Sequence, residues 1–272
     1  MRGKTLLVHA LLIAISLVIV LPMIWMVLGS LKTIQEFLSK PPLWIPPRPA
    51  WENYAEVLKA APFGLFFRNS LIVAIVVVTS QLLTAALAGY ALAWIDIPGR
   101  NFIFGLILAT MMIPAHATAV PSFLILRRLG WIDSLQALMV PFLAQGFAIF
   151  LMRQAFLVIP LELVESAKLD GAGHFRILFS IMLPLAKPTA MTVVVLSAVA
   201  TWNNYFWPLI FTTSIQYRTL PLGLAMFRSQ EGMAQWNLLM AASMIVVTPM
   251  MLLFLLGQRY FIEGIAKTGL KG

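Results

Sequence analysis

The side chains of this sequence that could do chemistry concentrate in one polar segment, residues 160–184 and a few positions after it, between apolar runs. Its charged and titratable members are Glu162, Glu165, Lys168, Asp170, His174, Arg176 and Lys187. The apolar runs contain no carboxylate pair, no Ser/His/Asp set and no metal-ligand spacing, so the sequence does not indicate an enzyme. Such a concentration of charge indicates that this segment lies outside the lipid and meets something polar.

The polar segment is predicted to form two short helices joined at a glycine. Pro160 suits the first turn of a helix, and Glu162 follows where the helix dipole favours a carboxylate. Glu165 can meet Lys168 three positions later, and Gly171 is the expected end because glycine adopts the left-handed conformation without a steric penalty. The second helix is expected to present one apolar stripe made of Phe175, Leu178, Phe179 and Met182.

Such an element belongs at the membrane surface, with apolar side chains on one side and charged side chains on the other. It could lie on lipid as an amphipathic helix. Alternatively, its exposed face could dock into a groove on a partner protein. Composition alone leaves both alternatives open.

The composition places the chain in a membrane. Its 272 residues are 61% hydrophobic and only 11% charged, and the mean hydropathy is +0.91, whereas soluble domains contain about 25% charged residues. The formal net charge is +9, but the basic residues stand singly, which favours contacts with lipid headgroups over nucleic-acid binding. The absence of cysteine excludes disulfides, zinc–thiolate sites and thiol chemistry.

An all-α integral membrane protein with six transmembrane helices accounts for the apolar runs, because about 20 uncharged residues cross the hydrocarbon core as a helix. The first run is longer than the apolar centre of a secretory signal, so we expect it to be retained. In the second run, Ala85, Gly89 and Ala93 recur at the spacing that lets membrane helices approach closely, although chance explains it equally well. We expect a single domain, 1–272, with spans at about 5–30, 69–94, 102–126, 135–152, 188–211 and 238–261.

A few polar residues fall at membrane depth, namely Gln81, His116, Gln145, Asn203 and Asn204. They suit either a translocation path or hydrogen bonds between helices, and for each one alone the structural role is the simpler interpretation. Asn203, Asn204 and Tyr205 are flanked by tryptophans. These amides and aromatic faces are the surfaces that sugars favour, so the three residues are candidates for a substrate pathway.

Two other classes of membrane protein were weighed against the distribution of charge. A secondary transporter driven by an ion gradient requires buried carboxylates or paired broken helices in two related halves. All 10 acidic residues fall outside the six predicted spans, which argues against that class. A purely structural membrane scaffold remains as the other alternative.

One motif within the polar segment resembles a known signature. Glu165-Ser166-Ala167, then Gly171, then Ile181-x-Leu183-Pro184 resembles the EAA-x3-G-x9-I-x-LP signature of ABC importer permeases, with Ser166 in place of the middle alanine. The chain as a whole is similar to the MalG-type subunit of carbohydrate uptake systems. Further matching stretches lie at 52–54, 88–93, 98–100, 112–114, 169–172, 202–209, 220–224 and 271–272, whereas 266–270 departs from the usual run of small residues.

The resemblance implies a type I ABC importer permease of MetI-like architecture, which moves a sugar or sugar-like solute into the cell. Segment 160–184 would be its cytoplasmic coupling segment, seated in a cleft of a separate ATPase subunit. The residues implied in coupling are Glu165, Ser166, Ala167, Lys168, Leu169, Asp170, Gly171, Ala172, Leu183 and Pro184.

The resemblance also implies partners and a location. A second related permease subunit (MalF-like) would complete the pore, an ATPase dimer would drive it, and an extracytoplasmic solute-binding protein would deliver the solute. ATP and Mg would bind the ATPase, and this chain, which lacks a G-x4-GK[ST] phosphate loop, would carry no cofactor. The chain would lie in the cytoplasmic (inner) membrane of a bacterium or archaeon. The resemblance also implies that both termini are cytoplasmic. The near-even division of Lys and Arg between the two sides of the membrane does not by itself decide the orientation.

Overall fold

The computed structural model describes the backbone of residues 2–230 and 235–269 and the side chains of 6–225, 235–256 and 258. Within these ranges the chain is helical and contains no strand, which confirms the predicted all-α class. The helices of the first half are α1 (Arg2–Ser30), α2 (Ile34–Phe37), α3 (Glu52–Ala60), α4 (Phe63–Trp94), α5 (Arg100–Thr110), α6 (Ala119–Arg128), α7 (Leu135–Met139) and α8 (Gly146–Leu157). Those of the second half are α9 (Leu161–Leu169), α10 (His174–Ile177), α11 (Leu183–Leu185), α12 (Lys187–Trp202), α13 (Phe206–Phe211), α14 (Leu220–Gln230) and α15 (Trp236–Gly269).

Among the described residues, 4 helical stretches are long and apolar enough to cross a membrane: Leu6–Ser30, Phe63–Trp94, Leu135–Leu157 and Trp236–Leu256. Two further stretches satisfy the same test only as bent pairs. Arg100–Thr110 and Ala115–Arg128 meet at 89°, and His174–Leu185 and Lys187–Trp202 meet at 82°. Counting each bent pair as one span gives up to 6 spans, the number predicted.

The third predicted span, 102–126, is broken. Helix α5 ends at Thr110, and helical structure resumes only after Pro114. Proline lacks a backbone N–H and disfavours helix in the residue before it, so the chain bends here. Pro121 lies in the first turn of α6, where a backbone N–H has no partner within the helix in any case.

The fifth predicted span, 188–211, is also interrupted, because α12 ends at Trp202 and α13 begins at Phe206. Asn204 explains the break: its Oδ1 accepts a hydrogen bond from the backbone N–H of Trp207 at 3.2 Å. A side chain therefore replaces the carbonyl that a continuous helix would use. Apolar residues on both sides conceal this break in the sequence pattern.

The second span begins earlier than predicted, at Phe63 rather than at 69, so Asn69 lies inside the helix and not at its start. Asn69 is fully buried, yet its Nδ2 donates to the carbonyls of Gln216 at 2.7 Å and Arg218 at 3.0 Å. These bonds satisfy the amide nitrogen of a polar side chain inside an apolar helix. The fourth predicted span, 135–152, extends to Leu157 and leaves α-helical geometry between α7 and α8.

Residue contacts group the chain into two compact units. The first consists of Met1–Phe67 with Leu220–Pro249, and the second of Arg68–Thr219 with Met250–Gly272. In the first unit, the buried Asn53 of α3 donates from Nδ2 to the carbonyls of Ser30 and Lys32, both at 2.8 Å, and its Oδ1 accepts a bond from Asn237 at 2.9 Å. The expected single domain, 1–272, stays a prediction.

The second unit packs α4 closely against α8 at Gly89. A Cβ at this position would lie 2.9 Å from the backbone nitrogen of Arg153 and 3.1 Å from Met152 Cβ. Only glycine permits this approach, which confirms the close contact suggested by the spacing of small residues. The same packing directs Arg153 back onto α4, where its Nε donates to the Leu92 carbonyl at 3.3 Å.

Candidate functional site

Helix α9 of the polar segment is attached to the core by one face. Val164 is 1% and Ala167 is 7% exposed. Both belong to the buried cluster that α9 shares with residues of α4, α8 and α12. The other side chains of the helix point away from the core and are exposed: Leu161, Glu162, Leu163, Glu165, Ser166, Lys168 and Leu169.

Gly171 ends α9 as predicted, in the left-handed conformation with φ +78°. Its N–H donates to the Lys168 carbonyl at 3.0 Å, and the N–H of the half-buried Ala172 donates to the Ala167 carbonyl at 2.9 Å. This pair of bonds defines a Schellman cap. A Cβ at Gly171 would meet nothing within 4 Å, so the backbone conformation, and not lack of space, requires glycine.

The helix that follows the glycine is anchored to α4. The ring nitrogen Nδ1 of His174 and the hydroxyl of the buried Tyr90 are 3.0 Å apart and share a hydrogen bond. Ile177, Leu178 and Met182 are each at most 1% exposed. The exposed part of the polar segment therefore stands on a rigid, buried base.

The predicted apolar stripe of this second helix is wrong in part. Leu178 and Met182 are buried, but Phe175 is 72% and Phe179 is 42% exposed. Residues Leu178–Met182 form a π-helical turn, whose wider spacing changes the angle between successive side chains. The two phenylalanines therefore lie beside the buried face and not on it.

The predicted pairing of Glu165 with Lys168 is also absent. Both side chains are exposed, and no ion pair joins them within the described residues. Ser166, which stands in place of the usual alanine, donates from Oγ to the Leu163 carbonyl at 3.1 Å. The remaining predicted coupling residues lie at or near the surface: Asp170 and Pro184 are exposed and Leu183 is half-buried.

The exposed tip around Gly171 mixes apolar and charged side chains. Leu169 is 88% exposed, the largest exposure among the apolar residues of the segment, and Phe175 is nearly as exposed. Charged side chains alternate with them along the chain, namely Lys168, Asp170 and Arg176. The tip therefore lacks the separation of apolar and charged faces that defines a helix lying on lipid.

A separate cavity of about 180 Å³ lies in the second unit, beside the break between α12 and α13. It brings together Gln81, Gln145 and Asn204, three of the polar residues that the sequence places at membrane depth. Its other walls are Val73, Val77, Leu138, Phe142, Ala144, Ala200, Thr201, Trp207, Pro208 and Thr219. None of the described side chains that line it is charged.

Of the three predicted substrate-pathway residues, one lines this cavity and two do not. Asn204 lines the cavity and also caps α13, so it has both a structural and a potential binding role. Asn203 and Tyr205 are exposed and do not line it. His116 does not line it either, and its ring packs edge-on against Phe206 with 4.3 Å between the ring centroids.

The loop between α13 and α14 forms part of this site and is held by a carboxylate. Asp133 Oδ1 accepts bonds from the backbone N–H of Thr213 at 2.9 Å and from the backbone N–H and hydroxyl of Ser214 at 2.8 and 3.0 Å. Burial acts to raise the pKa of Asp133, but the bonds from Ser214 and Thr213 outweigh it, so the pKa lies below its ordinary value. Asn69 holds the same loop further along, at Gln216 and Arg218.

Sequence reasoning missed Asn69, Asp133 and Thr219. Each lies at the end of an apolar run, where a polar residue is expected whether or not it has a function. Their contacts join segments far apart in the chain, with 147 positions between Asn69 and Gln216 and 80 between Asp133 and Thr213. Periodicity and local motifs do not record contacts of this kind.

Comparison with known proteins shows which family this chain resembles. Residues 82–267 match the family described as the inner membrane component of binding-protein-dependent transport systems. The chain is 32% identical over 271 residues to the sn-glycerol-3-phosphate transport system permease protein UgpE of Pectobacterium atrosepticum, covering 97% of this chain and 96% of that protein. It is 35% identical over 261 residues to the arabinooligosaccharides transport system permease protein AraQ of Bacillus subtilis, covering 95% and 92%.

Solved structures give the same result. A chain of a bacterial ABC transporter involved in the import of the acidic polysaccharide alginate superposes with a TM-score of 0.83 at 25% identity, covering 96% of this chain and 97% of that one. A chain of the bacterial alginate transporter in complex with an alginate pentasaccharide-bound periplasmic protein superposes with a TM-score of 0.66 at 16% identity, which speaks for the fold. With its multiple apolar spans and its match over most of its length, this chain belongs to the family of inner-membrane permease components of binding-protein-dependent ABC importers.

Proposed function

We propose that this chain is the transmembrane permease subunit of an ATP-driven importer that moves a sugar or sugar-like solute into the cell, and that residues 160–184 couple it to a separate ATPase subunit. The observation that carries the coupling is the exposed tip around Gly171, where Leu169 and Phe175 present apolar surface beside charged side chains. A mixed surface of this kind suits a protein groove. The buried base beneath it allows movement at the tip to be transmitted to the spanning helices.

Force applied to the tip reaches the membrane part by two routes. Val164 and Ala167 connect α9 to the core shared with α4 and α8. The hydrogen bond between His174 and Tyr90 connects the second helix directly to α4. In this proposal the coupling residues are Glu165, Ser166, Ala167, Lys168, Leu169, Asp170, Gly171, Ala172, Leu183 and Pro184.

The importer is completed by other chains. We place beside this subunit a second related permease (MalF-like), an ATPase dimer that binds ATP and Mg, and an extracytoplasmic solute-binding protein. The name of the family supports the binding protein, because it refers to binding-protein-dependent transport. Membrane lipid surrounds the spans, and this chain itself carries no cofactor and binds no nucleic acid.

The proposed topology follows from the side of the membrane that the proposed coupling segment faces. In the predicted topology, segment 160–184 lies between the fourth span, 135–152, and the fifth, 188–211, so an even number of crossings separates it from each terminus. If it faces a cytosolic ATPase, both termini are cytoplasmic, and the chain lies in the cytoplasmic membrane of a bacterium or archaeon. For the substrate pathway, Asn204 is supported by its place on the cavity wall, whereas Asn203 and Tyr205 stay predictions.

The coupling is tested by reversing one exposed charge. We expect Glu165→Lys, in the assembled importer reconstituted into liposomes, to leave the complex in the membrane but to lower solute uptake per ATP hydrolysed at least severalfold. Glu165 forms no ion pair within the described residues, so the fold does not depend on its charge. Asp96→Lys is the matched control, because Asp96 is an equally exposed carboxylate in the turn after α4 and should leave the ratio unchanged.

An uptake-to-hydrolysis ratio that is normal for Glu165→Lys would refute the coupling role. A ratio lowered equally by both substitutions would do the same, because the effect would then come from surface charge in general.

A further inference from the structure

Arg153, one turn before the end of α8, has a guanidinium group that the protein uses only in part. Its Nε donates a hydrogen bond to the Leu92 carbonyl of α4 at 3.3 Å. The guanidinium carbon lies over the ring of Phe104 in α5, 4.1 Å from the ring centroid. The side chain makes no other hydrogen bond and no ion pair among the described residues. The N–H groups of its terminal nitrogens therefore stay available to a partner.

Packing fixes this guanidinium in place. Phe104, on which it lies, stacks in turn on Phe150 of α8 with 6.3 Å between the ring centroids. Helices α4 and α8 meet at Gly89, where a Cβ would lie 2.9 Å from the backbone nitrogen of Arg153. A planar guanidinium that is already stacked loses little further freedom when its free edge binds an anion. The junction of α4, α5 and α8 thus presents a pre-formed donor group.

A second arginine lies on the same face of α5. Arg100 precedes Phe104 by four positions, so the two side chains are neighbours on the helix. The side chain of Arg100 is half-buried and makes no hydrogen bond or ion pair among the described residues. Asp96, exposed in the turn before α5, pairs with neither arginine. The two guanidinium groups therefore concentrate positive charge at one place, which favours an anion as their partner.

The depth of the two arginines in the membrane indicates where the anion comes from. Helix α4 ends at Trp94, α5 begins at Arg100 and α8 ends at Leu157, so the arginines lie at one end of three helices that belong to apolar spans. Trp94 donates from Nε1 to the Phe156 carbonyl at 3.0 Å, and tryptophan concentrates where the hydrocarbon meets the headgroups. Phospholipid phosphates lie at this level of the membrane.

The surroundings of the arginines indicate which phospholipid fits. Apolar side chains of α5 continue from them toward the middle of the membrane and offer a surface for acyl chains, because Phe102, Ile103 and Leu106 are exposed. The ammonium group of phosphatidylethanolamine would be repelled by both guanidinium groups. A headgroup with a phosphate and no cation, such as phosphatidylglycerol, avoids this repulsion.

We propose that Arg153 and Arg100 form a binding site for the phosphate of an anionic phospholipid, whose acyl chains follow the exposed apolar side chains of α5. In the proposed topology the site lies on the cytoplasmic side, and α8 leads from it into the coupling segment 160–184. A lipid bound here braces the end of α8 from which that segment continues. The site follows from the contacts of the two arginines and does not depend on the import function.

The test measures lipid binding to the complete importer, purified in detergent and stripped of its native lipid. The probes are dioleoylphosphatidylglycerol and dioleoylphosphatidylethanolamine, titrated by native mass spectrometry, with inorganic phosphate as a competitor. We expect the wild type to bind phosphatidylglycerol about tenfold more tightly than phosphatidylethanolamine. Arg100→Gln should raise the Kd for phosphatidylglycerol about tenfold, as for the loss of one charge-assisted hydrogen bond.

Two further variants sharpen the comparison. Arg128→Gln is the matched control, because Arg128 is an exposed arginine at the end of α6 and its loss removes the same charge outside the proposed site. It should leave the Kd for phosphatidylglycerol unchanged, so the difference from Arg100→Gln isolates this site from other lipids on the complex. Arg153→Lys keeps the charge but loses the planar fork and the stacking on Phe104, so it should bind phosphatidylglycerol more weakly than the wild type.

The unfolding temperature separates binding from folding. Because the Arg100 side chain has no partner among the described residues, Arg100→Gln should unfold at the wild-type temperature when no lipid is added. Added phosphatidylglycerol should raise the unfolding temperature of the wild type more than that of Arg100→Gln, since a ligand stabilises the protein that binds it more tightly. A substitution that acted only on the fold would instead lower the unfolding temperature of the lipid-free complex.

Three results would overturn the site. They are equal affinity of the wild type for the two lipids, an unchanged Kd for phosphatidylglycerol in either arginine variant of the site, and release of the bound lipid by an equal concentration of inorganic phosphate. The last result would indicate a site for free phosphate and not for lipid. Binding is measured without ATP, so any of these results leaves the proposed function intact. An assembled complex that binds the lipid as expected but hydrolyses no ATP would instead reject the proposed function.

Discussion

At the scale of single residues, Gly171 shows how one backbone conformation can support a functional surface. Its φ of +78° lets α9 end abruptly and turns the chain so that Leu169 and Phe175 lie on either side of the cap. Since nothing lies within 4 Å of a Cβ placed there, any effect of a small side chain must come from backbone strain. That strain can be varied by the choice of substitution.

We expect Gly171→Ala to destabilise this cap by about 1–2 kcal/mol, since alanine is strained in the left-handed region. Gly171→Asn should be clearly milder, because asparagine tolerates that conformation. The measurement is hydrogen exchange of the Ala172 amide, which donates to the Ala167 carbonyl in the cap. Equal exchange rates in the two variants would contradict this explanation.

Asp133 supplies a prediction about pH. Its pKa is lowered in the folded protein, so the bonds to Thr213 and Ser214 contribute stability above the pKa of an unfolded aspartate, about 3.9, and that contribution is lost as the pH falls through the lower folded value. The unfolding temperature of the wild type should therefore fall more steeply than that of Asp133→Asn as the pH is lowered below about 4. Parallel pH profiles of the two proteins would exclude the carboxylate clamp.

The glycine stop could be predicted at this scale because it depends only on the residue and its neighbours. The side chains that complete the cavity could not be predicted in this way, because they depend on contacts between distant segments. The loop that leads to Thr219 is held by Asn69 and Asp133, which contact it only in the folded chain. Gln81 and Asn204 were identified as polar residues at depth, but their meeting at one cavity depends on the break after Trp202.

At the scale of elements, the long apolar runs and the proline interruption of the third run were predicted, whereas the break after α12 was not. The start of α12 and the helical nature of α4 follow from composition and length. The bend after α5 and the break after α12 arise from Pro114 and Asn204, single residues whose effect depends on whether the neighbouring structure satisfies the exposed backbone groups. The exposed Phe175 and Phe179 were misplaced because a π-helical turn does not follow the ordinary helical period.

The contact between α4 and α8 gives a prediction at this scale. We expect Gly89→Ala to destabilise the detergent-solubilised chain by about 1–3 kcal/mol, because the added methyl would meet the backbone at Arg153 and force the helices apart. Gly105→Ala in α5 is the control: nothing lies within 4 Å of its Cβ position, so its stability should be unchanged or slightly raised. Denaturant titration of both variants measures the difference. Equal stabilities would show that the close approach is not needed.

At the scale of the whole molecule, the chain provides a membrane scaffold with one mixed apolar and charged tip that finds no cover within the described residues. Large exposed apolar side chains on a rigid base are the usual mark of a protein interface. In the function proposed above, this tip transmits force from an ATPase subunit and does not bind lipid. The account therefore depends on what contacts residues 160–184 in the assembled importer.

The most direct measurement uses the absence of cysteine from this chain. Leu169→Cys, 88% exposed as leucine, places a single thiol at the tip, and Thr213→Cys places one in an exposed loop elsewhere. In membranes containing the complete importer, benzophenone maleimide attached to Leu169→Cys should, on illumination, cross-link this chain to the copurifying ATPase subunit, because the excited benzophenone inserts into any nearby C–H bond. The same reagent attached to Thr213→Cys should not. Cross-linking of the ATPase through Thr213→Cys, or no cross-link through Leu169→Cys in an importer that still transports, would contradict the account.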